Sequence, residues 1–176
     1  RDPLILGSGR LKMDVPAYRY TRIFYPWLAA VIAFGKPSLI HYSLVFVNLA
    51  AILAGSFFAV KFLQGADITI WYSCIYGLFS GFILALLRDL GAPLAAGLIM
   101  GGVYFFELKR DWLGGVFFAA AVLTREIMVI VPLVYMFFAA FVRRDRVRAR
   151  TCFLAIIPFL LWAGYVGLRI GDPFYR

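Results

Sequence analysis

Uncharged stretches at 37–60, 68–87, 90–106, 127–142 and 151–168 take up more than half of this 176-residue chain. They restrict its fold more than any single motif. Each approaches or exceeds the roughly 20 residues needed to cross a hydrocarbon core ~30 Å thick. A soluble domain is about half apolar, whereas here 64% of residues are hydrophobic, 18% are aromatic and the mean hydropathy is +0.88. A soluble chain of this length could not bury so many long runs. The runs lack the strict alternation of barrel strands, and helices satisfy their own backbone groups in lipid. The expected class is therefore all-α: a polytopic transmembrane helical bundle with about six membrane segments and one short interfacial or half-inserted helix.

The formal charge of +9 raises the question of a nucleic-acid partner. Its distribution argues for a membrane surface instead. Five of the 18 basic residues fall in "RRDRVRAR", 143–150, between two apolar runs. That is the pattern of a cytoplasmic loop under the positive-inside rule, so the reading is lipid bilayer and no nucleic acid. Cys74 and Cys152 lie within apolar runs without metal-ligand spacing and read as packing residues. His41, the one histidine, reads as a buried or interfacial polar residue, with one-sided ligation of a haem-like group as the alternative. The polar opening "RDPLILGSGRLKMDVPAYRY" begins at Arg1 and has no signal-peptide core. It suggests an internal piece or processed product lacking an upstream helix and outer loop.

Breaks between the runs come in two kinds. Lys61 with "LQGAD", "ELKRD" at 107–111 and "RRDRVRAR" are basic loops, assigned to one side. "LLRDLGAP" at 86–93 and "LTREIM" at 123–128 carry one arginine and one acid each and fall on the other. This parity predicts a single transmembrane domain over 1–176: an extracytoplasmic segment at 1–20, a short interfacial helix at 21–38 with a turn at Gly35-Lys36-Pro37, and a helical bundle over 40–168. A full span at 21–38 would invert the later helices and put the basic loop outside.

The same parity groups Arg19 and Arg22, Arg88 and Asp89, and Arg125 and Glu126 at the outer face. Four arginines at one face suit an anion, because the planar guanidinium fork matches phosphate bidentately. Two have a neighbouring acid that could position the guanidinium or meet substrate hydroxyls. Charges within an apolar run cost a few kcal/mol and normally face a partner or a polar pathway. The plainer account is that Arg125 and Glu126 merely close a helical hairpin near the headgroups. Tyr18, Tyr20, Tyr25 and Trp27 read as an interfacial aromatic belt, with sugar stacking as the alternative.

Taken in order, "DVPAYRYTRIFYPWLAA", "LLRDLGAPLA", "AAAVLTREIMVIVPL" and "PFLLWAGYVGLRIGDPF" resemble segments of bacterial polytopic membrane proteins related to the GT-C glycosyltransferases. The resemblance spans nearly the whole chain. It implies a GT-C-like bundle in the bacterial inner (plasma) membrane that moves a sugar from an isoprenyl-phosphate-linked donor to an extracytoplasmic acceptor in cell-surface glycopolymer formation. In such enzymes arginines hold the donor phosphate, and an outer-loop acid acts as general base or binds a divalent metal. The matching positions here are Arg19, Arg22, Arg88, Asp89, Arg125 and Glu126. The chain departs from the pattern at three places. An Asp-Gly-Gln type motif ahead of "DPLILGS" is absent, leaving Asp2 and Asp14 as weak candidates for the base; Gly91-Ala92 replace a usual Thr-Glu; and Ile127 stands where Thr is common. No catalytic residue is assigned, no metal ligand is assigned, and a divalent metal stays open.

A second hypothesis is a non-catalytic transmembrane subunit that packs against other membrane subunits, motivated by the small-residue face "AAGLIMGG" at 95–102. A transporter or channel fits less well, since charges cluster toward one face and no inverted repeat is evident.

Overall fold

The computed structural model describes residues 21–88 and 90–170. Expectations for Arg19, Asp89, Asp2, Asp14, Tyr18, Tyr20 and the segments 1–20 and 171–176 lie outside the described residues. The fold is all-helical, with no strand among the described residues. In chain order the α-helices are α1 (Phe24–Ile32), α2 (Ile40–Gly65), α3 (Ser73–Gly77), α4 (Ser80–Leu87), α5 (Ala92–Glu107), α6 (Asp111–Thr124), α7 (Ile130–Phe137) and α8 (Arg146–Ile170). Short 3-10 turns at Pro37–Leu39, Ile70–Tyr72 and Glu126–Val129 lead into helices, and a π-helical stretch at Phe138–Val142 ends α7.

Three segments are long and apolar enough to cross a membrane: Pro37–Gly65, Ile70–Leu87 and Arg146–Arg169. Of the six expected segments, three are thus of crossing length, and Ala92–Glu107, Asp111–Thr124 and Glu126–Val142 are shorter apolar helices. At 1.5 Å per residue, the 16 residues of α5 and 14 of α6 give about 24 and 21 Å, short of a ~30 Å core. The expected continuous run at 68–87 is also broken, because Phe79 adopts an extended conformation between α3 and α4. A short first helix and a turn at Gly35 agree with the sequence expectation.

Helix ends follow local chemistry. Phe34, Asp67 and Lys109 each take a left-handed backbone (φ 49°, 54° and 58°) just past α1, α2 and α5. At all three, the amide of the next residue reaches back five positions, as in Gly35 N to Ala30 O, Ile68 N to Leu63 O and Arg110 N to Phe105 O. This Schellman closure satisfies carbonyls that a helix end leaves free. Asp145 starts α8 by accepting hydrogen bonds from Val147 N and Arg148 N, both 3.1 Å, in an N-cap geometry.

Packing is built on small residues. A Cβ on Gly97 would lie 2.6 Å from the carbonyl oxygen of Ala51, so α5 and α2 touch backbone to backbone. Gly101 receives the rings of Phe117 and Phe58, Gly114 that of Phe106, and Gly115 the Thr151 methyl. The pairings Asn48 with Leu90, Ala51 with Gly97 and Phe58 with Gly101 make α2 and α5 parallel. Gly101 with Phe117 and Phe106 with Gly114 make α5 and α6 an antiparallel hairpin. "AAGLIMGG" is thereby spent inside this chain, with Ala95, Gly97, Gly101 and Gly102 buried, which removes the motive for reading it as a partner surface.

Two cores result. One joins Tyr25, Val47, Ala51 and Leu94, and the other Phe106, Phe118, Cys152 and Ala155. The outside is lined by large apolar side chains such as Leu53, Leu84, Val134, Phe137 and Leu161. Such an exterior exceeds what a soluble monomer displays and suits lipid. Cys74 is exposed and so is not the packing residue expected, whereas Cys152 is buried.

Candidate functional site

The helices run back and forth so that the start of α2, the residues before α1, Leu90-Gly91 and the end of α6 share one end of the bundle. Gly91 is the junction. A Cβ there would stand 3.1 Å from the Tyr25 ring and 3.2 Å from the Thr124 methyl, so a larger residue would press on both. The absence of a side chain at Gly91 lets this backbone sit closely between α1 and α6.

Buried polar bonds hold the junction. Asn48, the chain's sole asparagine, is fully buried in α2. Its Nδ2 donates to the Tyr25 hydroxyl at 2.8 Å and to the Leu90 carbonyl at 3.0 Å. The Tyr25 hydroxyl in turn donates to the Leu44 carbonyl at 3.1 Å. In an apolar setting such donors would cost free energy if left unpaired, so these bonds set the position of the Leu90 carbonyl. Thr124, also buried, returns its hydroxyl to Ala120 O at 2.8 Å and exposes no polar atom to the core.

Arg125 ends α6 in an extended conformation (φ −148°, ψ 123°), and Glu126 opens the following 3-10 turn. Glu126 pairs with Arg22, not with its neighbour Arg125. Arg22 Nε donates to Glu126 Oε2 at 3.0 Å and a terminal nitrogen donates to Oε1 at 2.7 Å, a two-point bond between residues 104 apart in sequence. Both side chains are about one-quarter exposed, at 25% and 27%. This pair closes the ring of segments that Gly91 begins.

Of the six residues singled out from sequence, Arg22, Arg88, Arg125 and Glu126 are described, and all four lie at this end. Arg22 and Glu126 are joined directly. Arg125 is partly exposed and Arg88 exposed, and neither makes a side-chain ion pair among the described residues. Tyr25, expected in an aromatic belt, is a core residue at 6% exposure, while Trp27 beside it is exposed at 54%. Among the described residues, no group of three or more His, Cys, Asp or Glu side chains is placed to hold a metal ion.

At the opposite end, two of the basic loops that the sequence assigned to one side meet through a pairing the sequence did not show. Arg148, only 8% exposed, donates from Nε to Asp111 Oδ1 at 3.1 Å and from a terminal nitrogen to the Phe106 carbonyl at 2.7 Å. Its guanidinium also lies over the Phe106 ring, 5.5 Å from the centroid. It ties the end of α5 to the starts of α6 and α8. In sequence it is indistinguishable from the other arginines of "RRDRVRAR"; the i+3 spacing from the capping Asp145 was the available hint.

Comparison of the whole chain with protein-family models, with characterised proteins and with solved structures finds no match.

Proposed function

We propose that this chain is a GT-C-like membrane glycosyltransferase, or the core of one, that takes a sugar from an isoprenyl-phosphate-linked donor at the bundle end bearing Arg22, Arg88 and Arg125. The observation that supports this reading is the close approach of Gly91 to Tyr25 and Thr124, which brings the segments bearing Arg88, Arg22 and Arg125 to one end of the bundle, where Arg22 meets Glu126. A departing lipid phosphate needs fixed positive charge, and Arg88 and Arg125 have no competing carboxylate among the described residues. Glu126 sits within reach of the same region through Arg22, as the carboxylate to orient a guanidinium or an acceptor hydroxyl. The full complement of six membrane segments, the bacterial inner membrane and an extracytoplasmic orientation belong to this same proposal.

The test is sugar transfer by the full-length gene product in proteoliposomes with polyprenyl-phosphate-linked donors. Arg125→Ala is expected to cut transfer by about 100-fold or more, the scale for removing one preorganised charge from a transition state. Unchanged transfer by a normally folded R125A protein sinks the assignment of that residue.

A second reading, a non-catalytic subunit of a larger membrane assembly, draws on the Arg22–Glu126 bond itself. In it the two candidate groups neutralise each other as a structural clasp. Purification from native membranes separates the two: co-purifying integral subunits with no transfer activity favour the subunit.

A further inference from the structure

The end of the bundle opposite Arg22 carries charge that the fold does not use. Lys109 and Arg110 on the α5–α6 turn, and Arg143, Arg144, Arg146 and Arg150 around the start of α8, are all exposed. The Arg148 bonds to Asp111 and Phe106 place these two turns side by side. The local acids are spent, Asp111 on Arg148 and Asp145 on the α8 amides, leaving Glu107 as the exposed acid of the two turns. Arg143 lies over Phe138 at 5.5 Å and keeps its charge.

Apolar groups interleave with these cations. Trp112, Phe141, Val142 and Val147 are 64–69% exposed. A face meeting only water, RNA or an acidic soluble protein would not place such side chains between its arginines. A face at the boundary of hydrocarbon and headgroups would, with tryptophan at headgroup level and arginines reaching phosphates. We propose that this end is a binding surface for anionic phospholipid headgroups, formed by the two turns together and distinct from the Arg22 end. Its partner is the phosphate-bearing leaflet surface, held by Arg143, Arg144, Arg146 and Arg150 with Lys109 and Arg110 beside them.

The experiment measures retention of phosphatidylglycerol against phosphatidylcholine by the full-length protein from mixed micelles of equal composition, at low and high salt. Wild type is expected to enrich phosphatidylglycerol, with enrichment falling as salt rises. In R143Q/R144Q/R146Q/R150Q the affinity is expected to fall by about fivefold for each charge removed. K36Q, at the other end of the bundle, keeps wild-type enrichment. Should the quadruple variant not fold, K109Q/R110Q carries the same expectation with a smaller loss. Equal retention of the two lipids by wild type overturns the proposal. So does full competition by inorganic phosphate at the lipid's own concentration, or enrichment that survives loss of these charges, or preferential binding of RNA over phosphatidylglycerol.

Discussion

Arg22 and Glu126 form a two-point ion pair across 104 residues of sequence, with bonds of 3.0 and 2.7 Å. The pair joins the residues preceding α1 to the turn after α6, so it ties the two ends of the candidate site together. A fork-to-fork geometry at partial burial makes it stronger than an isolated surface pair.

Breaking that bond from either side should therefore loosen this end of the bundle. Glu126→Ala and Arg22→Ala are each expected to destabilise the protein by about 1–3 kcal/mol, because each removes a two-point bond from a largely buried charge. The exchange R22E/E126R should recover part of the loss. Thermal unfolding in detergent reads both effects, and single variants with wild-type stability would show the pair to be energetically idle.

Asn48 offers a separate test of the junction. Asn48→Leu removes the donors to Tyr25 and Leu90 and leaves the part-buried Leu90 carbonyl without this bond, for an expected cost of about 1–3 kcal/mol. Faster proteolysis or hydrogen exchange confined to 88–91 would locate the loss at the turn. A variant as stable as wild type and equally protected there contradicts the role given to this amide.

Glycine positions should divide sharply by their neighbours. Gly97→Ala puts a methyl 2.6 Å from the Ala51 carbonyl, a backbone group that cannot swing away, and is expected to cost about 1–3 kcal/mol. Gly164→Ala, in α8 with nothing within 4 Å, should stabilise by up to about 1 kcal/mol through helix propensity. Equal melting temperatures for the two variants would refute the close α2–α5 contact.

Arg148 is expected to be the most sensitive arginine of its loop. Arg148→Leu leaves Asp111 without this donor and the Phe106 carbonyl with only the Lys109 amide, at a cost of about 3–5 kcal/mol. Arg150→Leu, exposed on the same helix, should change stability by about 0.5 kcal/mol or less. Unfolding midpoints of the two proteins in one detergent decide it, and similar losses would remove the distinction.

The two charged ends should also label from opposite sides. With Cys74 replaced by alanine, single cysteines at Leu90 and Lys109, both exposed, are expected to react with an impermeant maleimide from opposite faces of sealed vesicles. Labelling of both from one face would show that α5 does not cross.

Much of the architecture was legible because lipid imposes a simple rule, that long uncharged runs become helices, and the parity of basic and mixed breaks separated the two ends. The break at Phe79 was not legible, since no proline or charge marks it. Nor was the shortness of α5 as a membrane segment evident from its apolar run, because its end is set by a Schellman turn and by the Arg148 bonds rather than by hydropathy. Gly97 and Gly101 looked equally suited to an external partner or an internal neighbour until Ala51 and Phe117 were seen to fill the space.

The sequence by itself determined an apolar helical chain with its arginines segregated between two ends, because hydropathy and charge are local properties summed along each run. Only the tertiary structure decided who meets whom: Glu126 with Arg22 rather than Arg125, Asn48 with Tyr25 and Leu90, and Arg148 with Asp111. Those pairings are selected by helix direction and by the few ångströms of closeness that Gly91 and Gly97 permit. Neither leaves a periodic trace in the chain.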